Sequence, residues 1–152
     1  MHLANYLELL GRAQDQLAQA LREVGKAHSD EADIFTQCQL QAEVCDRHSG
    51  QLRPFAERYA EKAPDEPESM HAELFQGPRS GGLGLLRDLH DLYVSAAHCD
   101  ITWTLVGQAA QGVRDNELLE VVRRCEGETS TQLKWLRTRM KAAAPQALVV
   151  AV

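Results

Sequence analysis

Apolar residues recur along this chain every three to four positions rather than alternately, which is the period of a helix face and not of a strand. Four segments carry the pattern. In the first, from about residue 3 to 26, Leu3, Leu7, Leu10, Leu17, Leu21 and Val24 form one stripe, which ends where Gly25 and the polar His28-Ser29-Asp30 turn follow. The second starts at about residue 31, with Ser29 or Asp30 as N-cap, and runs to about 62 through Ile34, Cys38, Cys45, Leu52, Ala56 and Tyr59. Pro54 lies inside it; proline lacks an amide hydrogen and crowds the preceding turn, so a kink or local break is expected near Leu52. The third, 81–111, aligns Leu85, Leu89, Leu92, Tyr93, Ala96, Trp103 and Val106. The fourth opens at Asp115 or Asn116 and runs to about 143, before Pro145.

Residues 63–80, with Pro64, Pro67 and Pro78, form the one long connection, with room for a short helix at 68–75. At about 3.3 Å per extended residue the connection can run the length of a bundle, so a simple up-and-down link and a crossover are both open. The expected fold is all-α: a single four-helix-bundle domain over 1–152, with one long helix 2 to helix 3 connection. The apolar end, 146–152, is too short to span a membrane and needs a surface to dock on, either the bundle itself or a second subunit. A homo-oligomer, most simply a dimer, follows as an expectation.

Polar side chains that fall on these stripes carry the chemical information. Helix 2 brings Gln41 and His48 to its stripe, and helix 4 brings Gln132, with Glu128 toward one edge. Cys45-x-x-His48 and Cys125-x-x-Glu128 each set a thiol and a second candidate ligand three residues apart, on one side of a helix. Helix 3 places Cys99 and Asp100 in its inward arc, and helix 1 adds only Gln14. Counted from the short turns near residues 29 and 113, these groups share one level of the bundle, and carboxylates buried there need a counter-charge, a proton or a metal.

This arrangement resembles the ferritin-like superfamily, whose di-iron members set a Glu on each of two helices and a Glu-x-x-His on each of the other two. The segments Gly81-Gly82-Leu83-Gly84-Leu85-Leu86-Arg87-Asp88-Leu89 and 132–148 are similar to small bacterial ferritin-like proteins. In this chain Cys replaces Glu at position 45 while His48 remains, Cys125-x-x-Glu128 has no second His, and Asp100 stands where the third-helix carboxylate would be. The resemblance implies a transition-metal site at His48, Asp100 and Glu128, with Cys45, Cys125 and Gln132 in or beside it, and a metal-dependent redox role. A His/Asp/Glu set suits Fe(II) or Mn(II), whereas thiolates favour Zn(II) or copper. The alternative is a metal-free bundle acting as an interaction or accessory subunit, its polar groups satisfying one another.

Composition narrows the partners. The chain has 152 residues and a net charge of −6, which disfavours nucleic acid and anionic membranes, since both are bound through a basic face. At this length a core forms without disulfide staples, so Cys38, Cys45, Cys99 and Cys125, scattered singly, are read as reduced thiols, either packed as small hydrophobes or serving as ligands or a redox pair. The first residues lack the basic start and apolar stretch of a secretory signal, so a cytoplasmic location is expected.

Overall fold

The computed structural model describes residues 1–66, 70 and 73–150. The stripes fold into four helices, α1 (Leu3–Ala27), α2 (Ala32–Tyr59), α3 (Gly81–Gly112) and α4 (Asn116–Pro145), with no strand among the described residues. Asp115 caps α4 as expected, its carboxylate accepting a hydrogen bond from the Leu118 amide at 3.1 Å.

Three local expectations are corrected. The N-cap of α2 is Glu31, not Ser29 or Asp30. The His28 amide still donates to the Val24 carbonyl and the Glu31 amide to that of His28, so the chain keeps turning through Ser29 and Asp30. Of the two outcomes open at Pro54, the local break does not occur: α2 runs unbroken to Tyr59 before a 3-10 turn over Ala60–Lys62. Helix α4 does not stop before Pro145 but includes it and passes into a π-helical turn, Gln146–Val150, that packs on α3 and buries Ala147. The short helix allowed at 68–75 falls largely on residues outside the described ones; Met70 and residues 73–75 are not helical.

Glycines set the two close helix pairs. A Cβ on Gly25 would stand 3.1 Å from the Cβ of Cys38, and one on Gly107 would stand 3.1 Å from a methyl of Val122, so α1 with α2, and α3 with α4, approach to backbone distance at those points. Helix α1 is antiparallel to α3 as well, since His28 at its end meets Asp88 near the start of α3, while Met1 and Tyr6 lie beside Leu105 and Val113. It follows that α2 and α3 run in the same direction and that residues 63–80 cross the length of the bundle.

Leu10, Leu17, Val24, Ile34, Leu89, Leu92, Trp103 and Leu118 are among the side chains filling the centre. Each large aliphatic removed from water there contributes about 1.5–3 kcal/mol. Helices α2 and α4 approach less closely than the two tight pairs, and long polar side chains bridge the gap between them. The sequence-derived candidate site lies along that seam.

Candidate functional site

Antiparallel packing of α2 on α4 brings Cys45, His48 and Gln51 opposite Cys125, Glu128 and Gln132. The Gln132 amide donates to the Gln41 carbonyl at 3.2 Å and to Cys45 Sγ at 3.4 Å, while the Cys125 thiol donates to Gln51 Oε1 at 3.2 Å. His48 is fully buried, its ring edge-on to Trp103 with centroids 5.6 Å apart. Its Nε2 is 3.6 Å from Glu128 Oε1, beyond hydrogen-bond length, and neither ring nitrogen has a hydrogen-bond partner among the described residues. Burial holds the imidazole below its ordinary pKa, against the opposing pull of the Glu128 carboxylate.

Glu128 is engaged elsewhere. Its Oε2 accepts from Arg47 Nη2 at 2.8 Å, a pairing reached across the seam from the exposed side of α2. Asp100 does not join the group: it is half-buried on the side of α3 that faces Glu126, and burial together with that second carboxylate pushes its pKa up. Thr104, one turn on, donates to Glu126 at 2.6 Å and marks the same flank. The thiols are all free and buried; desolvation pushes Cys38, Cys45 and Cys125 up to about 12 and Cys99 higher still, so all four hold their protons near neutrality.

The implied metal can be tested against these residues. Among the described residues no three His, Cys, Asp or Glu side chains are grouped so as to hold an ion. His48 and Glu128 approach each other, but Arg47 holds the carboxylate and Asp100 is turned to another flank. The ligand set does not fit a ferritin-type di-metal centre. What the bundle interior does contain is a set of buried polar atoms without partners among the described residues: both amide atoms of Gln14, both nitrogens of His48, Trp103 Nε1 and Gln132 Oε1.

A different polar cluster ties the bundle to its crossover, and it escapes a reading based on ligand motifs. His28 Nε2 donates to Asp88 Oδ2 at 2.8 Å, both side chains being buried. The Arg79 amide donates to the same oxygen, and Arg79 Nη1 donates to Asp88 Oδ1 and Asp91 Oδ2, each at 2.9 Å. The signal lies in the spacing, because Asp88 falls three residues after Leu85 and four before Leu92, on the inward stripe of α3. Asp91, three residues further along α3, is half-buried against Arg79.

The outer side of α3 is also unusual. Leu83, Val94, Ile101 and Leu105 are 53%, 44%, 54% and 48% exposed, and at 3.6 residues per turn they fall within about 40° of one another. At the Leu105 end this stripe runs into an apolar groove of about 390 Å³ lined by Met1, Tyr6, Ala109, Gly112 and Val113. No helix among the described residues is long and apolar enough to cross a membrane, so the stripe is not part of a spanning segment. No protein-family model, curated protein or solved structure matches this chain.

Proposed function

We propose that this chain is a ferritin-like bundle acting as an interaction or accessory subunit, with the outer face of α3 as its docking surface. The observation that carries this reading is the second apolar stripe, Leu83, Val94, Ile101 and Leu105, on a helix whose inner stripe already fills the core. Exposed apolar side chains gathered on one arc of a helix, here with Arg87, His90 and Gln108 among them, mark a surface for a partner. The single crossover between α2 and α3 supports the ferritin-like part, since ferritin-like folds have one such connection.

The buried, unreactive native cysteines make a direct test possible. Ile101→Cys places one accessible thiol at the centre of the stripe. Rapid maleimide labelling of the purified protein at high dilution, with protection inside cells that produce it, is the expected result. Equal labelling in both settings would refute the reading. A second reading, a metal site, rests on His48, whose unpartnered Nε2 lies 3.6 Å from Glu128 Oε1. Near-stoichiometric metal in protein purified without chelator, lost on His48→Ala, would favour it; no metal in either protein would end it.

A further inference from the structure

The stripe on α3 is self-complementary when read backwards. We propose that the outer face of α3 pairs with the same face of a second copy, antiparallel, about a twofold axis passing between Ala97 and His98; this rests on the docking role given above. About that axis Val94 meets Ile101 of the second copy, with the small Ala97 beside the crossing point. His90 meets Leu105 and Arg87 meets Gln108, so no like charges face each other along the stripe.

The ends fit as knob and hole. Leu83 projects at one end of the stripe, and the turn Gln146–Val150, which packs on α3, leaves Leu148, Val149 and Val150 exposed as well. The twofold carries Leu83 to Gly112, where the absent side chain leaves open space in the groove of Met1, Tyr6, Leu105 and Val113. That groove is therefore the complement of the projecting end of the other copy.

The flanks agree in charge. Glu126 lies beside Thr104 on α4, adding its charge to that of Asp100, with no cation paired to either among the described residues. Arg137 is eleven residues further along α4, three helical turns, and so on the same side; it is exposed and makes no ion pair among the described residues. The α3/α4 register set by Thr104 with Glu126 and Gly107 with Val122 places Arg137 beside residues 92 and 93. The twofold between 97 and 98 carries that level onto 102 and 103, next to Glu126. Each Arg137 thus meets the acidic pair of the other copy, twice per dimer. At 1.5 Å per residue α3 is about 48 Å long, which with the flanking parts of α1 and α4 can supply the roughly 800 Å² per partner of a stable interface.

Sedimentation of the full chain from about 1 to about 100 μM tests the proposal, a range in which dimers of ordinary strength assemble and dissociate. The wild type is expected to dimerise. Gly112→Phe adds a ring where the isolated chain has open space and an ordinary backbone angle, so it should keep the helical circular dichroism and sediment as a monomer. Glu126→Arg and Arg137→Glu should each raise the dissociation constant about tenfold or more, and the double swap should bring it back toward wild type. Wild type monomeric throughout, a dimer untouched by Gly112→Phe, or swaps that do not compensate would overturn the pairing. A monomeric wild type, with the thiol of the Ile101→Cys variant still protected in cells, would remove self-pairing and leave the docking role standing, whereas free labelling of that thiol in cells removes both.

Discussion

At the scale of single residues, His48 shows how burial decides protonation when a counter-charge is close but not in contact. A hydrogen bond to Glu128 would stabilise the imidazolium, yet at 3.6 Å, with Arg47 holding the carboxylate, desolvation dominates and lowers the pKa. The consequence for stability has a definite sign. Below its ordinary pKa of about 6.5 the unfolded chain binds a proton at this position that the folded chain does not, so stability is full above that pH and is lost as pH falls toward the folded value. Urea unfolding at pH 7.5 and at 5.5 should show wild type losing more stability on acidification than His48→Leu, the excess being at most about 1.4 kcal/mol per pH unit. A wild type that gains stability relative to the variant as pH falls would mean that the Glu128 pair governs the site. The Cys45-x-x-His48 and Cys125-x-x-Glu128 spacings make the meeting of these two helices legible from sequence. The claim of Arg47 on Glu128 is not legible there, because an exposed arginine finds its partner through the register of two helices that no local pattern records.

Among the elements, the crossover and the start of α3 depend on one carboxylate. Asp88 accepts from His28 at the end of α1 and from both the amide and the guanidinium of Arg79, so it joins the first helix, the end of the connection and the third helix at one point. Removing a buried charge's partner is costly because the remaining polar groups keep their desolvation without compensation. Asp88→Asn is expected to lower the free energy of unfolding by about 3 kcal/mol, somewhat reduced by the solvent reaching Arg79. His28→Ala in the Asp88→Asn background should then cost much less than in wild type, as a double-mutant cycle by chemical denaturation would show. A loss under about 0.5 kcal/mol for Asp88→Asn would mean that the cluster is incidental to the fold. Helical periodicity alone puts Asp88 on the inward stripe and Asp100 close behind Cys99 in the same arc. The first escapes a search for chemistry because it sits in no ligand motif. The second is misplaced because a wheel at 100° per residue does not show how closely α4 covers one flank of α3.

For the whole molecule, the four helices, their short turns and the long connection are readable from periodicity and proline, but the direction of α3 relative to α2 is not, since 63–80 is long enough for either connection. The outer stripe of α3 is also present in the sequence, at Leu83, Val94, Ile101 and Leu105, and goes unseen because an amphipathic reading assigns each helix one apolar face. The resulting topology makes the chain two hairpins, α1 with α2 and α3 with α4, joined covalently only through the crossover. They are held together otherwise by the apolar contact of α1 with α3, the buried His28 to Asp88 bond, the His48 to Trp103 ring contact and the polar bridges from α2 to α4. Lys62 is exposed at the end of the 3-10 turn, outside regular helix, and Arg79 is tied down by Asp88 and Asp91, so limited trypsin digestion should cut first after Lys62. The two fragments, 1–62 and 63–152, are expected to co-elute on native gel filtration at micromolar concentration, because the cut removes a connection and none of these contacts. Unfolding then becomes a dissociation, so its midpoint should acquire a dependence on protein concentration that the uncut chain, made monomeric by Gly112→Phe, lacks. Fragments that separate without denaturant would show that the crossover itself, rather than the packing of α1 on α3, holds the two halves as one bundle.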